Sequence, residues 1–201
     1  CIWLKLSVSG KTSHGAEPWQ GINALEQGFG LFADLREELM REEHPVLGRS
    51  TLQVTMAEGG IAPNMTPDRA QLLADIRIVP PLNEKEVLNR LECLIEKRCE
   101  VYNGGLSFTP EISNYRMPVE TGPENQWLHR LKGFIGDNAG ETGINYFTDA
   151  SIFLTAWPDS PALLFGPGEP QMCHKPNEYV EISKYFEAIR VMEKFCWYIA
   201  K

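Results

Sequence analysis

The sequence of 201 residues lacks any apolar run close to the ~20 residues that a membrane-spanning helix requires. It also lacks an excess of basic side chains, because its net charge is -8. A general nucleic-acid partner or an anionic membrane partner is therefore not expected, since either would need a basic face that neutralises phosphates. With 43% hydrophobic and 10% aromatic residues, the composition is that of a soluble globular protein.

The cysteines form no Cys-x-x-Cys pair, and their number, five, is odd. This pattern favours a set of reduced thiols over a disulfide framework or a structural zinc site, and it predicts a cytoplasmic protein. The chain starts with Cys1 inside an alternating strand pattern instead of with Met. We therefore expect it to be a piece of a longer protein.

Motifs that assemble a metal site within one short stretch are missing as well. With four histidines, the sequence contains no His-x-Asp, no His-x-x-x-His and no Glu-Glu pair in a loop. The pairs Glu37-Glu38 and Glu42-Glu43 fall on the exposed face of a predicted helix and indicate solvated charge. A zinc site needs three or four ligands, so any ligand found here would need partners from elsewhere.

Hydrophobic periodicity predicts six elements over the first 113 residues, in the order β-α-β-β-α-β. That order is typical of a ferredoxin-like domain, an antiparallel sheet backed by two helices. The helix at Asn83 begins with a capping-box pattern, because Glu86 follows three residues later. The predicted ranges after the first strand are Asn23 to Glu43 (helix), Ser50 to Met56, Arg69 to Val79, Asn83 to Glu100 (helix) and Gly105 to Ile112.

Residues 114–201 have a different pattern, in which helices alternate with a short apolar segment. We expect them to form part of an α/β layer whose other strands lie outside this sequence. The predicted elements are a helix at Gln126 to Ile135, a helix at Asp149 to Trp157, a strand at Pro161 to Phe165 and a helix at Ile182 to Ile199.

Two histidines lie in glycine-flanked loops and are candidates for chemistry. His174, in PGEPQMCHKPNE, sits in a loop stiffened by proline, and Glu178 four residues on could orient its imidazole. The alternative for His174 is a surface histidine without a role. His14, in GKTSHGAEPWQG, is equally compatible with an exposed turn residue.

Four stretches in order resemble one enzyme family along the whole chain. They are GKTSHGAEPWQGINAL, GGIAPNMTPDRAQLLADIR, INYFTDASIF and FGPGEPQMCHKPNEYVEI. Together they resemble the C-terminal two thirds of the zinc amidohydrolases of the acetylornithine deacetylase and succinyl-diaminopimelate desuccinylase type, in metallopeptidase family M20. The resemblance implies a dimerisation or lid domain at residues 1–113, and the C-terminal portion of an α/β zinc-hydrolase catalytic domain at residues 114–201.

The resemblance also implies roles for particular residues. His174 would be a ligand of a two-zinc centre, and His14 would reach across a homodimer to stabilise the oxyanion formed during amide hydrolysis. Asn64 would bind the substrate or the same oxyanion, and Arg77 would grip a carboxylate of a small, amino-acid-like substrate. Thr148 and Asp149 would support the site, although Asp149 equally fits a helix N-cap.

The family's remaining zinc ligands and its glutamate general base have no counterpart in these 201 residues. Hydrolysis needs hydroxide, base and metal together. We therefore expect the isolated chain to be inactive and to bind zinc weakly if at all.

The sequence is also compatible with two other functions. The ferredoxin-like half could act as a non-catalytic module that dimerises through a sheet edge, or as a domain that binds a small regulatory molecule. The joint presence of His14, Asn64, Arg77 and His174 favours the enzyme hypothesis, because a pure interaction module has no physical reason to keep all four.

Overall fold

In the computed structural model, which describes residues 1–136, 140–173 and 175–200, the chain divides into two compact units. The first consists of Cys1–Pro118 with Asn145–Thr148, and the second of Val119–Ile144 with Asp149–Lys201. The described residues contain six strands and five α-helices. The mixed α/β fold predicted from the sequence is confirmed.

The strands of the first unit are β1 (Ile2–Ser9), β2 (Glu43–His44), β3 (Gly48–Arg49), β4 (Thr51–Gly59), β5 (Arg69–Arg77) and β6 (Ser107–Tyr115). Its helices are α1 (Ala24–Leu39) and α2 (Glu84–Val101). Four strands form one antiparallel sheet in the order β4-β5-β1-β6, with β4 and β6 at its edges. This is the predicted ferredoxin-like arrangement. The small hairpin β2-β3 is an addition that was not predicted.

The core of this unit lies between the helices and one face of the sheet. On β1, alternation sends Ile2, Leu4, Leu6 and Val8 inward, at 2% exposure or less. Gly28 lets α1 approach closely, because a Cβ there would lie 2.5 Å from Leu72 Cδ1 on β5. The opposite face of the sheet carries polar side chains and the half-exposed Trp3.

Both helices of the first unit begin where the sequence predicted. Asn23 Oδ1 accepts from Leu25 N and Glu26 N, and the capping box of Asn83 with Glu86 is present. The predicted end of the first helix was wrong, since α1 stops at Leu39 and not at Glu43.

The early end of α1 has a physical cause in the residues that follow. Arg90 Nη1 donates to the Glu38 carbonyl oxygen at 2.8 Å and its Nη2 pairs with Glu42, so the last turn finds its partners on α2. Glu43 joins β2 instead, in a hairpin that turns at Gly48 with φ +73.

In the second unit, the regular secondary structure of the described residues is helical. It contains α3 (Gln126–Ile135), α4 (Ala150–Ala156) and α5 (Ile182–Ile199). Rings from α3 and α5 meet edge to face, such as Trp127 with Phe195 at 6.2 Å and Phe134 with Tyr198 at 6.3 Å between centroids.

The predicted strand at Pro161 to Phe165 was wrong, because these residues have no regular structure. A strand requires a neighbour that completes its hydrogen-bond ladder. In this segment, Ala162 exchanges hydrogen bonds with the Thr121 hydroxyl instead, at 2.8 and 3.0 Å.

An apolar groove of about 650 Å³ runs along α5 and the segment at Phe165. Many large apolar side chains of this unit are exposed, including Trp197 at 72% and Phe186 at 53%. Within the described residues, no helix is both long and apolar enough to cross a membrane.

Candidate functional site

His14 and Asn64 lie on two loops that are paired with each other. Gly15 N donates to the Asn64 carbonyl oxygen at 2.7 Å, and Thr66 N donates to Ser13 O at 2.9 Å. The two hydroxyls of Ser13 and Thr66 are 2.7 Å apart, and His14 forms a β-bridge with Met65. Residues that are 50 positions apart in the sequence (64 minus 14) are thus held side by side.

A side chain at Gly15 would be crowded where these loops touch. A Cβ on Gly15 would lie 3.1 Å from the carbonyl oxygen of Asn64, and that oxygen belongs to a backbone fixed by its own hydrogen bond. A side chain at Gly15 would therefore press on the backbone of the paired loop.

The local turn orients the imidazole of His14. Ala16 N donates to His14 Nδ1 at 3.1 Å, so Nδ1 is an acceptor and the neutral ring carries its proton on Nε2. His14 is exposed, and Glu17 N closes the turn by donating to His14 O at 2.8 Å. The arrangement presents an Nε2-H donor to whatever approaches the loop pair.

Arg77 stands at the end of β5, away from the loop pair. Its Nε and Nη2 donate to the two oxygens of Asp75, at 2.5 and 2.8 Å. Because Asp75 takes one side of the guanidinium, the edge formed by Nη1 and the second Nη2 hydrogen is left for another acceptor. The Arg77 side chain is 33% exposed.

Arg77 and the loop pair are at opposite ends of one strand. Gly10 N donates to Asp68 O at 2.8 Å, which places the loop pair at the Arg69 end of β5. At roughly 3.3 Å per residue, the backbones of Arg69 and Arg77 are about 26 Å apart. The structure therefore brings His14 and Asn64 together and keeps Arg77 apart from both.

Several neighbours of Arg77 were missed by sequence reasoning. Trp3 Nε1 donates to Asp75 Oδ2 at 3.1 Å, and the Phe147 ring centroid lies 5.8 Å from the Arg77 guanidinium carbon. Arg116 lies 6.0 Å from the same ring centroid. The Asp-x-Arg spacing on a strand, which puts both side chains on one face, was the available signal for Asp75. No local sequence pattern indicated that Arg116 or Phe147 would lie near Arg77.

Thr148 and Asp149 precede α4. The Asp149 carbonyl oxygen accepts from Ile152 N and Phe153 N at 2.9 and 3.0 Å, as an N-cap residue does, but its side chain makes no capping hydrogen bond. Asp149 is exposed and Thr148 is half-buried. The supporting role predicted for this pair stays a prediction.

His174 lies outside the described residues. Glu178, which was predicted to orient it, is exposed, and its backbone N donates to Lys175 O at 3.2 Å. Within residues 1–136, 140–173 and 175–200, no three His, Cys, Asp or Glu side chains are close enough to hold a metal ion.

Residues 1–103 match the family model of the M20 peptidase dimerisation domain, which is about half of the chain. The chain belongs to the M20 peptidase family. Its first unit, with the four-stranded sheet and the two helices, contains this M20 dimerisation domain.

Similar proteins extend the match beyond this domain. An acetylornithine deacetylase from Shigella sonnei is 27% identical over 207 residues, which is 96% of this chain and 51% of the relative. The match to aminopeptidase PepT from Bacillus cereus covers 100% of this chain and 52% of PepT, with a TM-score of 0.71 at 19% identity. The match to the M20 family metallo-carboxypeptidase Sso-CP2 from Sulfolobus solfataricus covers 96% of this chain and 57% of the carboxypeptidase, with a TM-score of 0.67 at 15% identity.

This M20 chain spans about half the length of the relatives it matches. The family consists of metallopeptidases and related hydrolases, so metal use belongs to its general chemistry. A zinc centre takes three or four protein ligands. The described residues do not fit a complete centre of this kind.

Proposed function

We propose that this chain supplies the lid and part of the catalytic domain of a di-zinc amidohydrolase. The lid comprises residues 1–113, and residues 114–201 are the C-terminal part of the catalytic domain. The enzyme hydrolyses the amide bond of an N-acyl amino acid or a peptide, as a deacylase, desuccinylase or carboxypeptidase does. The observation that carries this proposal is the exposed Nε2-H donor of His14, held beside Asn64 by the paired loops.

The chemistry of that donor suits the proposed reaction. When bound, the zinc ions would supply a hydroxide at neutral pH and polarise the scissile carbonyl. His14 Nε2 then donates a hydrogen bond to the oxygen on which negative charge develops, with Asn64 beside it. A preorganised donor of this type is typically worth about a hundredfold or more in rate.

His14 and Arg77 serve the same substrate only if they come from different copies of the chain. Their separation along β5 supports a homodimer in which one copy supplies His14 and Asn64, and its partner supplies Arg77. The match to a dimerisation domain supports the same arrangement. His174 would then be a zinc ligand, with Thr148, Asp149 and Glu178 as supporting residues.

The groove on α5 also supports a larger catalytic domain. Exposed apolar surface of this extent is typical of a face that another part of a protein covers. We propose that this face packs against the part of the intact enzyme that supplies the remaining zinc ligands. The chain 1–201 by itself then lacks a complete centre, and metal analysis of the purified chain should find no stoichiometric zinc.

The test uses the intact enzyme that carries this sequence, loaded with zinc and assayed on acetylated, succinylated and dipeptide substrates. We expect turnover of at least one of these classes. In His14→Ala, kcat should fall by about a hundredfold while KM changes little, because the donor acts on charge that develops in the transition state.

The matched control is His129→Ala, which removes another exposed histidine, on α3. It should keep the kcat of the unmodified enzyme. Absence of zinc-dependent amide hydrolysis from all three substrate classes would refute the proposed function, and an unchanged kcat in His14→Ala would refute the role of His14.

A further inference from the structure

Arg116 and Arg77 occupy one row of the sheet. Ile2 lies opposite both Ile76 on β5 and Tyr115 on β6. The next residues along, Arg77 and Arg116, therefore flank Cys1 on either side, and Cys1 N donates to Arg116 O at 2.7 Å. With neighbouring strands ~4.8 Å apart, the backbones of the two arginines are about 10 Å apart.

Both arginine side chains lie on the face of the sheet that the helices leave open. Ile2 and Ile76 point into the core at 0% exposure, so the adjacent positions point the other way. Phe147 confirms this placement, because its ring centroid lies 5.8 Å from the Arg77 guanidinium carbon and 6.0 Å from that of Arg116. One aromatic ring thus contacts two cations.

The two arginines of this row have different partners. Asp75 neutralises Arg77 through its two hydrogen bonds and is held in turn by Trp3. Arg116 donates from Nη1 to the carbonyl oxygen of Tyr115 at 2.8 Å, which leaves its charge uncompensated by that contact. Burial raises the pKa of the Tyr115 phenol, so this neighbour stays neutral. In these contacts Arg77 is paired with a carboxylate, whereas Arg116 is held by a carbonyl oxygen.

Arg116 also has an orphaned donor. Its Nε is buried and has no hydrogen-bond partner in the described part of the chain. A buried N-H of a charged group normally has an acceptor, so an orphan of this type indicates a missing partner. The free edge of Arg77 is a second set of donors on the same face, and acceptors that suit both are anionic oxygens.

We propose that Arg116, with Phe147 as the platform between the two guanidinium groups, completes a two-arginine site for the carboxylate of a small molecule. Arg77 binds the carboxylate with its Nη1 and Nη2 edge, because Asp75 holds the other edge. Arg116 supplies the net positive charge that the Arg77-Asp75 pair lacks. The inference rests on the proposed function only in taking the ligand to be the substrate, since the site itself needs neither metal nor a second copy.

The experiment measures carboxylate binding to the chain 1–201 directly. N-acetylglycinate is titrated at low salt while the arginine Nε-H resonances are followed by NMR, and N-acetylglycinamide serves as the neutral ligand control. We expect the resonances of Arg77 and Arg116 to shift with one common Kd for the carboxylate and not for the amide. Raising the salt to about 0.5 M should weaken the binding, because a partly exposed charge pair is screened.

Variants then test each arginine. Arg77→Gln and Arg116→Gln should each raise Kd by about fivefold or more, the size expected for a lost charge-assisted hydrogen bond. Arg49→Gln is the matched control, because it removes a surface arginine that is also held by a carboxylate, that of Glu43, outside this row. Its Kd should stay within about twofold of the unmodified chain, as expected for a distant exposed charge.

Three outcomes would overturn the inference: no binding of the carboxylate, equal binding of the amide, or the same Kd in Arg116→Gln as in the unmodified chain. If Arg116→Gln does not fold, Arg116→Lys keeps the charge without the Nε donor and should bind with intermediate affinity. Carboxylate binding that depends on Arg116, in an intact protein without amidohydrolase activity, would refute the proposed function and leave this site standing. Amidohydrolase activity in an intact protein whose carboxylate binding does not depend on Arg116 would refute only the two-arginine site.

Discussion

At the scale of single residues, the candidate site depends on backbone contacts more than on side-chain packing. His14 is oriented by the N-H of Ala16, and its loop is held by the carbonyl oxygen of Asn64. Contacts of this kind leave little room for extra volume where two backbones meet. The residue that permits the contact, Gly15, is therefore as important to the geometry as the histidine itself.

We predict that Gly15→Ala separates the two loops. The added Cβ would lie 3.1 Å from Asn64 O, and a backbone atom cannot move aside as the end of a flexible side chain can. We expect the free energy of unfolding to fall by about 1–3 kcal/mol, the range found for overpacked sites. Urea denaturation of the chain measures this change.

The matched control for this substitution is Gly122→Ala, where the new Cβ would meet nothing within 4 Å. Its free energy of unfolding should stay within about 0.5 kcal/mol of the unmodified chain. Equal stability of the two variants would show that the loop contact is looser than 3.1 Å implies.

At the scale of elements, α1 runs along the exposed edge strand β4. A Cβ on Gly59 would lie 2.9 Å from Leu25 Cγ, while Arg36 Nε donates to Leu52 O at 3.0 Å. The helix therefore runs antiparallel to β4, with Phe29 one turn after Leu25 and 47% exposed. At the other edge of the sheet, β6 contains Pro110, which has no N-H to offer to a new strand.

We predict from this asymmetry that two copies meet through β4 and α1. Phe29→Glu should convert the proposed dimer into a monomer, because it places a charge in an apolar contact that the second copy would cover. Size-exclusion chromatography with light scattering gives the mass directly. Val101→Glu, at an equally apolar and more exposed position at the end of α2, should leave the dimer intact. A dimer that persists in Phe29→Glu would move the interface to another surface.

Elements were predictable from the sequence where their signals are local. The capping box at Asn83 and the alternation on β1 depend on neighbours a few residues away, and both were confirmed. The end of α1 and the segment at Pro161 depend on distant partners, namely Arg90 on α2 for the first and the Thr121 hydroxyl for the second. Hydrophobic patterning contains no information about such partners.

At the scale of the whole molecule, strand order decides which site residues can cooperate. The sequence identified His14, Asn64 and Arg77 as candidates, but it could not show that β5 separates Arg77 from the other two by its own length. It also could not show Arg116 or Phe147, because their proximity to Arg77 follows from the register of β6 on β1 and from the position of residues 145–148.

The separation along β5 leads to a prediction about mixed dimers of the proposed intact enzyme. In a dimer of one His14→Ala copy and one Arg77→Ala copy, the first site would combine both defects and the second would be complete, provided that each site takes His14 from one copy and Arg77 from the other. Random mixing of the two inactive variants makes half of the dimers mixed, with one working site of two, so about a quarter of the original activity should return.

The control for mixed dimers is a mixture of His14→Ala with Asn64→Ala. These two residues lie on paired loops of the same copy, so every site in a mixed dimer would carry one defect and no activity should return. Recovery in the first mixture and not in the second can arise only if the 26 Å or so along β5 is bridged by a second chain. If neither mixture recovers activity, Arg77 and His14 do not act on one substrate. The proposal of a site shared between two copies would then be wrong, even if each single variant is inactive.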